Sequence, residues 1–360
     1  MSSISTTGLF YIIIFMDLGN PLGIMVMETL KYLLGIAGVS GFGSRSTAEE
    51  VTADCPNLRS ITAVITGATS GIGFETARVL SMRGARLVLP ARSLKAAQET
   101  SGRIKAEFPE ADITVLPLDL SSLASVRTFV TRFESLNLPL NLLINNAGRF
   151  PHEYGLSEDG FDMTFATNYL GHFLLTKLLT RKMVDSAQES GIEGRIVIVT
   201  SSIHSWFSGD GFEFLRLLQD NKIAYDGTRV YAWSKLANVL HTKELADRLT
   251  KMKAKVRVNC VHPGVVRTGL TRDKDRFFTD LFFFLSSKMV KSIPQAAATT
   301  CYAATSPRLS GVSGRYFSDC NEACTSKRGA DGIEASRLWT ESEAMVGGIW
   351  SSVKYSIRPS

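Results

Sequence analysis

Tyr231 and Lys235, in the stretch Tyr231-Ala232-Trp233-Ser234-Lys235-Leu236-Ala237-Asn238, are the residues whose types and spacing could do chemistry. A free phenol titrates near pH 10. Residues four apart on a helix share a face, so the spacing sets an ammonium beside the phenol, where its charge favours the phenolate and lowers the tyrosine pKa. The chemistry this fits is proton transfer to or from a substrate oxygen near neutral pH. Of the nine tyrosines only Tyr231 has a lysine four positions on. The same spacing also suits an ordinary surface helix, so the pair gains meaning only from partners elsewhere in the chain.

Such partners need elements that bring them to one place. Upstream, Ile61-Thr62-Ala63-Val64-Ile65-Thr66 is an apolar, β-rich run, followed by Gly67-Ala68-Thr69-Ser70-Gly71-Ile72-Gly73 and then a helical pattern. Strand, turn and helix in that order form a phosphate site. Gly67, Gly71 and Gly73 permit a tight turn, and the N–H groups at the helix start, with Thr69, Ser70 and Ile72 around them, face an anion. The spacing is G-x-x-x-G-x-G rather than G-x-G-x-x-G, and the strand-to-helix context is what supports a dinucleotide reading.

A second strand, Arg86-Leu87-Val88-Leu89-Pro90-Ala91, ends about twenty residues beyond the glycine turn, where an acid would bind the adenosine ribose of NAD. Arg92 and Ser93 stand there instead. A guanidinium beside a hydroxyl suits a 2′-phosphate, so the expected cofactor is NADP, with NAD the alternative and a merely solvated Arg92 the plain reading. Val115-Leu116-Pro117-Leu118-Asp119 and Leu142-Leu143-Ile144-Asn145-Asn146 read as two further strands. Both end in small polar residues, Asp119 and Asn146, as buried parallel strands do at the edge where ligands bind. The expected fold is α/β: one doubly wound Rossmann-type domain over residues 55–345, with an extension and linker over 1–54 and a tail over 346–360.

These motifs resemble the short-chain dehydrogenase/reductase family. The ordered set is Thr66 to Gly73, Asn145-Asn146-Ala147-Gly148, Asn168, Ser202, and Tyr231 with Lys235. The segments Phe165 to Phe173 and Tyr231 to Asn238 are similar to the branch of retinol dehydrogenases and WW-domain oxidoreductases. Glu28 to Leu33 and Gly314 to Cys320 resemble plant members related to the inner-envelope dehydrogenase of the chloroplast import translocon.

The resemblance implies an oxidoreductase in which Tyr231 exchanges the proton while hydride passes between nicotinamide and carbon. Lys235 would lower the Tyr231 pKa and bond the nicotinamide ribose. Ser202 would hold the substrate oxygen; Ser201 is the neighbouring alternative, on the opposite face of an extended chain. Asn168 would hold a water that resupplies protons through Lys235, a role compatible with satisfying backbone groups in its helix. Thr268, after the Pro263-Gly264 break, would bind the carboxamide. A second reading makes NADP occupancy a signal within a membrane complex. The resemblance points to the chloroplast inner envelope, with cytoplasm or the endoplasmic reticulum surface as alternatives.

Two aromatic inserts are expected near the substrate: His204 to Leu215, within the 29 positions between Ser202 and Tyr231, and Arg276 to Leu285. Their density fits a lipophilic substrate or contact with a membrane surface, and equally the packing of a lid helix. The 360 residues, 44% apolar, can bury one large core. The net charge of +6 comes without a nucleic-acid motif. Five cysteines without a Cys-x-x-Cys pattern favour a reducing compartment and argue against metal binding. Leu9 to Met16 is apolar but far short of the ~20 residues that span a bilayer. Residues 1–26 are an upstream extension or a targeting segment, and residues 38–50 read as a linker. Self-association into a homo-oligomer is compatible with the sequence.

Overall fold

The structure, a computed structural model, describes residues 29–55, 57–151, 153–266 and 290–348. Its centre is an eight-stranded sheet in the order β10-β9-β6-β5-β4-β1-β2-β3, in which β9 is Tyr316–Ser318 and β10 is Asn321–Ala323. Strands β1 (Thr62–Ile65), β2 (Arg86–Ala91), β3 (Ile113–Pro117), β4 (Leu142–Asn145), β5 (Gly194–Val199) and β6 (Val256–His262) all run parallel. The chain reverses its direction of travel across the sheet between β1 and β4. Ala63 pairs with Leu142 and Ile65 with Ile144, so the ends of these two strands open a crevice at the switch point.

The strands form where expected because both of their faces are covered. Every residue of β1 and β4 is buried, which explains continuous apolar runs in place of alternation. One face carries α1 (Ala48–Val51), α2 (Gly71–Met82) and α8 (Ile293–Thr305), which supply Ala48, Leu80 and Ala297 to the core. The other carries α4 (Leu123–Ser135), α5 (Gly171–Ser190), α7 (Gly227–Lys251) and α9 (Gly332–Val346). Phe129 and Phe133, one turn apart on α4, are both fully buried and stack at 6.3 Å. Truncating either would cost about 3–5 kcal/mol. Helix α3 (Leu94–Glu107) packs on β2 and β3, and Phe212 of α6 (Gly211–Gln219) packs on Trp233 of α7.

The stretch 38–50 is not a linker. Ser40 N donates to Asn321 Oδ1 at 3.0 Å, Asn321 Nδ2 donates to the Phe42 carbonyl, and α1 starts in a Thr47/Glu50 capping box. Ala48 and Val51 are buried. Small polar residues here satisfy backbone groups inside a packed structure, which composition alone does not separate from a flexible tether.

The parallel sheet ends in a hairpin that the sequence reading did not anticipate. β9 (Tyr316–Ser318) pairs in parallel with β6, and β10 (Asn321–Ala323) turns back antiparallel through Asp319 and Cys320, both left-handed at φ 52° and 63°. A further two-stranded pair, β7 (Val265–Val266) with β8 (Val290–Lys291), lies just beyond β6. Among the described residues no helix is long and apolar enough to cross a membrane.

Candidate active site

The carboxyl ends of β1 to β6 surround a cleft of about 1010 Å³. Its floor at one end is the glycine turn. Gly67 has φ +69° and a Cβ there would come within 2.7 Å of the Ala147 Cα. At Gly73 a Cβ would stand 2.2 Å from the Gly67 carbonyl oxygen and 2.5 Å from Asn146 Nδ2. No side chain fits at either point, which is why α2 can start against the strand ends with its N–H groups open to the cleft. Ser70, its N-cap, makes no side-chain capping bond.

Thr66 organises this corner. Its Oγ1 accepts from Asn146 N at 2.9 Å and from Ala147 N at 3.0 Å, while Asn146 Nδ2 donates back to the Thr66 carbonyl at 2.9 Å. These bonds lock the end of β4 to the end of β1. Thr69, Ser70, Gly71, Ile72 and Gly73 line the cleft as expected, and so does Asn146. The importance of Thr66 escapes a search for glycine spacing, because its hydroxyl acts through contacts that only the fold brings together.

At the β2 edge, Arg92 and Ser93 line the cleft, and Arg92 is exposed with no hydrogen-bond or ion-pair partner among the described residues. Ser93 caps α3 by accepting from Ala96 N at 3.2 Å, which holds its hydroxyl in place. Asp119 lines the cleft beyond β3, its Oδ1 accepting from both Ser121 N and Ser121 Oγ. Thr268 lies outside the described residues, as does the aromatic segment from Arg276 to Leu285.

Tyr231 and Lys235 face the opposite end of the same cleft from one side of α7. Lys235 is 3% exposed, and its Nζ donates to the Val199 carbonyl at 3.1 Å and stands 5.5 Å from the centre of the Tyr231 ring. Phe150 packs against Tyr231 with ring centres 5.1 Å apart. The expected lowering of the Tyr231 pKa is not what this arrangement produces. Burial pushes Tyr231 up to about 12 and, by the same cause, pulls Lys235 down to about 8. Desolvation opposes whichever form is charged, and it outweighs the attraction read from helical spacing.

Asn168 lies in a π-turn over Ala166–Leu170 and is fully buried. Its Oδ1 accepts from Arg149 N at 2.8 Å, and its Nδ2 donates to the Arg149 carbonyl and, at 3.1 Å, to Ser234 Oγ. Its own carbonyl accepts from Asn238 Nδ2 at 3.2 Å and faces His172 Nδ1 at the same distance. The side chain thus ties the loop after β4 to α7, beside Lys235. The bonds to Arg149 satisfy backbone groups of the loop after β4, one of the two roles expected of this residue. A π-turn is a costly departure from α geometry, and it is what aims these groups.

The two serines stand side by side just beyond the end of β5. Val199, Thr200 and Ser201 line the cleft in succession, and Ser202 follows on the exposed turn at its rim. Ser202 is exposed; it opens a 3₁₀ turn over Ser202–Trp206, with its N–H donated to His262 Nδ1 at 3.3 Å. Ser201 remains extended, at φ −155° and ψ 152°. Ser201 is in the lining of the cleft, and Ser202 keeps the place that the family resemblance gives to the substrate-oxygen serine.

The first aromatic insert is likewise not a cleft wall. Phe207 and Phe212 pack on Trp233 at 5.0 and 5.6 Å, Phe214 on Phe207 at 5.9 Å, all buried behind α7. Gly211 admits Trp233 so closely that a Cβ would fall 2.2 Å from its ring. Trp206 alone of that group is largely exposed, at 73%.

A doubly wound sheet, a glycine turn at its switch point, and a Tyr-Lys pair facing the same cleft define an NAD(P)-dependent dehydrogenase or reductase of alcohol and carbonyl groups. The chain belongs to the short-chain dehydrogenase family, whose model, described as short chain dehydrogenase, matches residues 61–207. It is 46% identical to the chloroplastic short-chain dehydrogenase TIC 32 B of Brassica napus, over 89% of this chain and 99% of that protein. It is 39% identical to retinol dehydrogenase 14 of Mus musculus, over 89% and 96%. Among solved structures, an uncharacterized protein from Mycobacterium paratuberculosis superposes with a TM-score of 0.64 at 30% identity, covering 84% of this chain and 98% of that one.

Proposed function

We propose that the protein is an NADP-dependent oxidoreductase that reduces a lipophilic carbonyl compound, with Tyr231 as the proton donor. The observation that carries this reading is the single cleft shared by the glycine turn, Arg92, Ser201, Tyr231 and Lys235. The cradle left by Gly67 and Gly73 fits a pyrophosphate, since any side chain would fill it. Arg92 with Ser93 would hold a 2′-phosphate, and Lys235 the nicotinamide ribose. The cofactor, when bound, supplies hydride.

The protein's own residues manage the proton. Tyr231, raised to about 12, is a phenol at neutral pH and therefore holds the proton that a developing alkoxide needs. Ser201 donates to the same oxygen and stabilises its charge. Lys235, cationic below about pH 8, stabilises the phenolate that remains. Asn168 positions α7 through Ser234. Phe150 against Tyr231 gives the substrate side an apolar wall, and the retinol dehydrogenases among the relatives support a lipophilic substrate.

The similarity to a protein named as chloroplastic supports a chloroplast location. It also supports a second reading, in which NADP occupancy acts as a signal within an import complex and turnover is secondary. Tyr231→Phe separates these: NADPH binding persists while reduction of lipophilic carbonyls, followed by NADPH consumption, falls at least about 100-fold. Undiminished turnover in that variant would remove Tyr231 from the chemistry. Loss of turnover with the biological role intact would favour the signal.

A further inference from the structure

We propose that His172 is a positioning residue that couples the cofactor cradle to the proton-transfer residues, acting through Thr66 on one side and Asn168 on the other. The proposal rests on the oxidoreductase reading above and concerns a residue with no contact to the cleft.

His172 sits in the first turn of α5, directly after the π-turn, and is 2% exposed. Its Nε2 lies 2.9 Å from Thr66 Oγ1 and its Nδ1 lies 3.2 Å from the Asn168 carbonyl. A carbonyl oxygen only accepts, so the hydrogen is on Nδ1. Nε2 is then an acceptor, and the Thr66 hydroxyl donates to it; the other acceptor near that hydroxyl, the Ile144 carbonyl, is farther at 3.4 Å. With its hydrogen directed to His172, Thr66 Oγ1 has both lone pairs free for Asn146 N and Ala147 N. One neutral imidazole in one tautomer therefore satisfies the whole set.

A second proton would break it. A charged ring would point a hydrogen at an oxygen that already accepts twice, and Thr66 would have to turn away. Burial holds His172 down at about 4, and the charge of Lys235 acts in the same direction. The consequence is mechanical. The Asn168 carbonyl that His172 bonds also receives Asn238 from α7, and the Asn168 side chain holds Ser234, next to Lys235. The same ring thus touches the residue that shapes the glycine turn and the residue that sets α7.

The test uses two substitutions that each preserve one nitrogen. The side-chain amide of Asn reaches the Nδ1 position and that of Gln the Nε2 position. His172→Asn keeps the Asn168 bond and loses Thr66, so the larger loss, up to about tenfold, falls on NADPH affinity. His172→Gln keeps Thr66 and loses Asn168, so the larger loss falls on kcat. A merely structural residue would lower stability in both variants without such a split. In the wild-type protein, ¹⁵N spectra of the imidazole, assigned by these substitutions, should show Nδ1 protonated and Nε2 bare from pH 5.5 to 8. A ring that titrates in that range, carries its proton on Nε2, or gives variants that differ only in melting temperature would overturn the proposal. If the wild-type protein reduces no carbonyl, the oxidoreductase reading fails, while NADPH affinity and the imidazole spectra still judge His172.

Discussion

Lys235 Nζ donates to the carbonyl of Val199 at 3.1 Å, which ties the middle of α7 to the last residue of β5 and holds the ammonium inside the protein. A cation so placed has lost most of its water. Its pKa falls to about 8 through burial, and the charge it lends to Tyr231 is available only below that pH.

Carbonyl reduction should therefore be high at pH 6–7 and decline as pH rises through about 8, the value at which Lys235 loses its proton. Tyr231, protonated up to about 12, imposes no earlier limit. The measurement is kcat with NADPH across pH 6 to 10. A profile that is flat through pH 9 would separate Lys235 from the developing phenolate.

The same burial makes a stability prediction. Between about pH 8 and the unfolded lysine value of about 10.4 the unfolded chain binds the proton and the folded chain does not, so stability rises with pH in that window and the penalty is complete below it. Lys235→Met should remove a penalty of up to roughly 3 kcal/mol at pH 7, raising the denaturation midpoint while abolishing turnover. The difference between variant and wild type should vanish toward pH 10.4. A variant less stable than wild type at pH 7 would show that the bond to Val199 outweighs desolvation.

Ser201→Ala should lower kcat by roughly 100-fold, the usual loss for a donor to a developing oxyanion. Ser202→Ala, which removes an exposed hydroxyl, should change kcat by less than about threefold. The reverse ranking would reinstate Ser202.

Arg92→Asp should weaken NADPH by about tenfold or more, and leave NADH as good or better, because a charge-assisted bond to the 2′-phosphate is replaced by repulsion. Titration of both dinucleotides decides it. Equal losses would assign Arg92 to the surface.

Gly73→Ala should weaken NADPH and lower the melting temperature by several degrees, since the new Cβ meets backbone at Gly67 rather than a side chain that can move. Displacing that turn costs about 1–3 kcal/mol. Normal affinity in the variant would mean that the turn does not cradle the cofactor.

Much of this was legible in the chain itself. The glycine spacing after an apolar run, the absence of an acid near Arg92 and the lysine four residues past Tyr231 depend on local rules, namely backbone freedom at glycine, burial of parallel strands and the helical repeat. Those rules point to a dinucleotide site and a candidate proton donor without knowledge of any contact. The tertiary structure decided what depends on distance and water. It put Ser201 in the lining of the cleft and Ser202 on the exposed turn beside it. It turned Phe207, Phe212 and Phe214 inward onto Trp233, and it packed residues 40–51 against α2, α8 and Asn321. It also set the burial around the pair: helical spacing reports how near a charge lies, but only the fold determines that Lys235 is buried while Tyr231 keeps a partly exposed face on the cleft, and desolvation raises the pKa of Tyr231 and lowers that of Lys235.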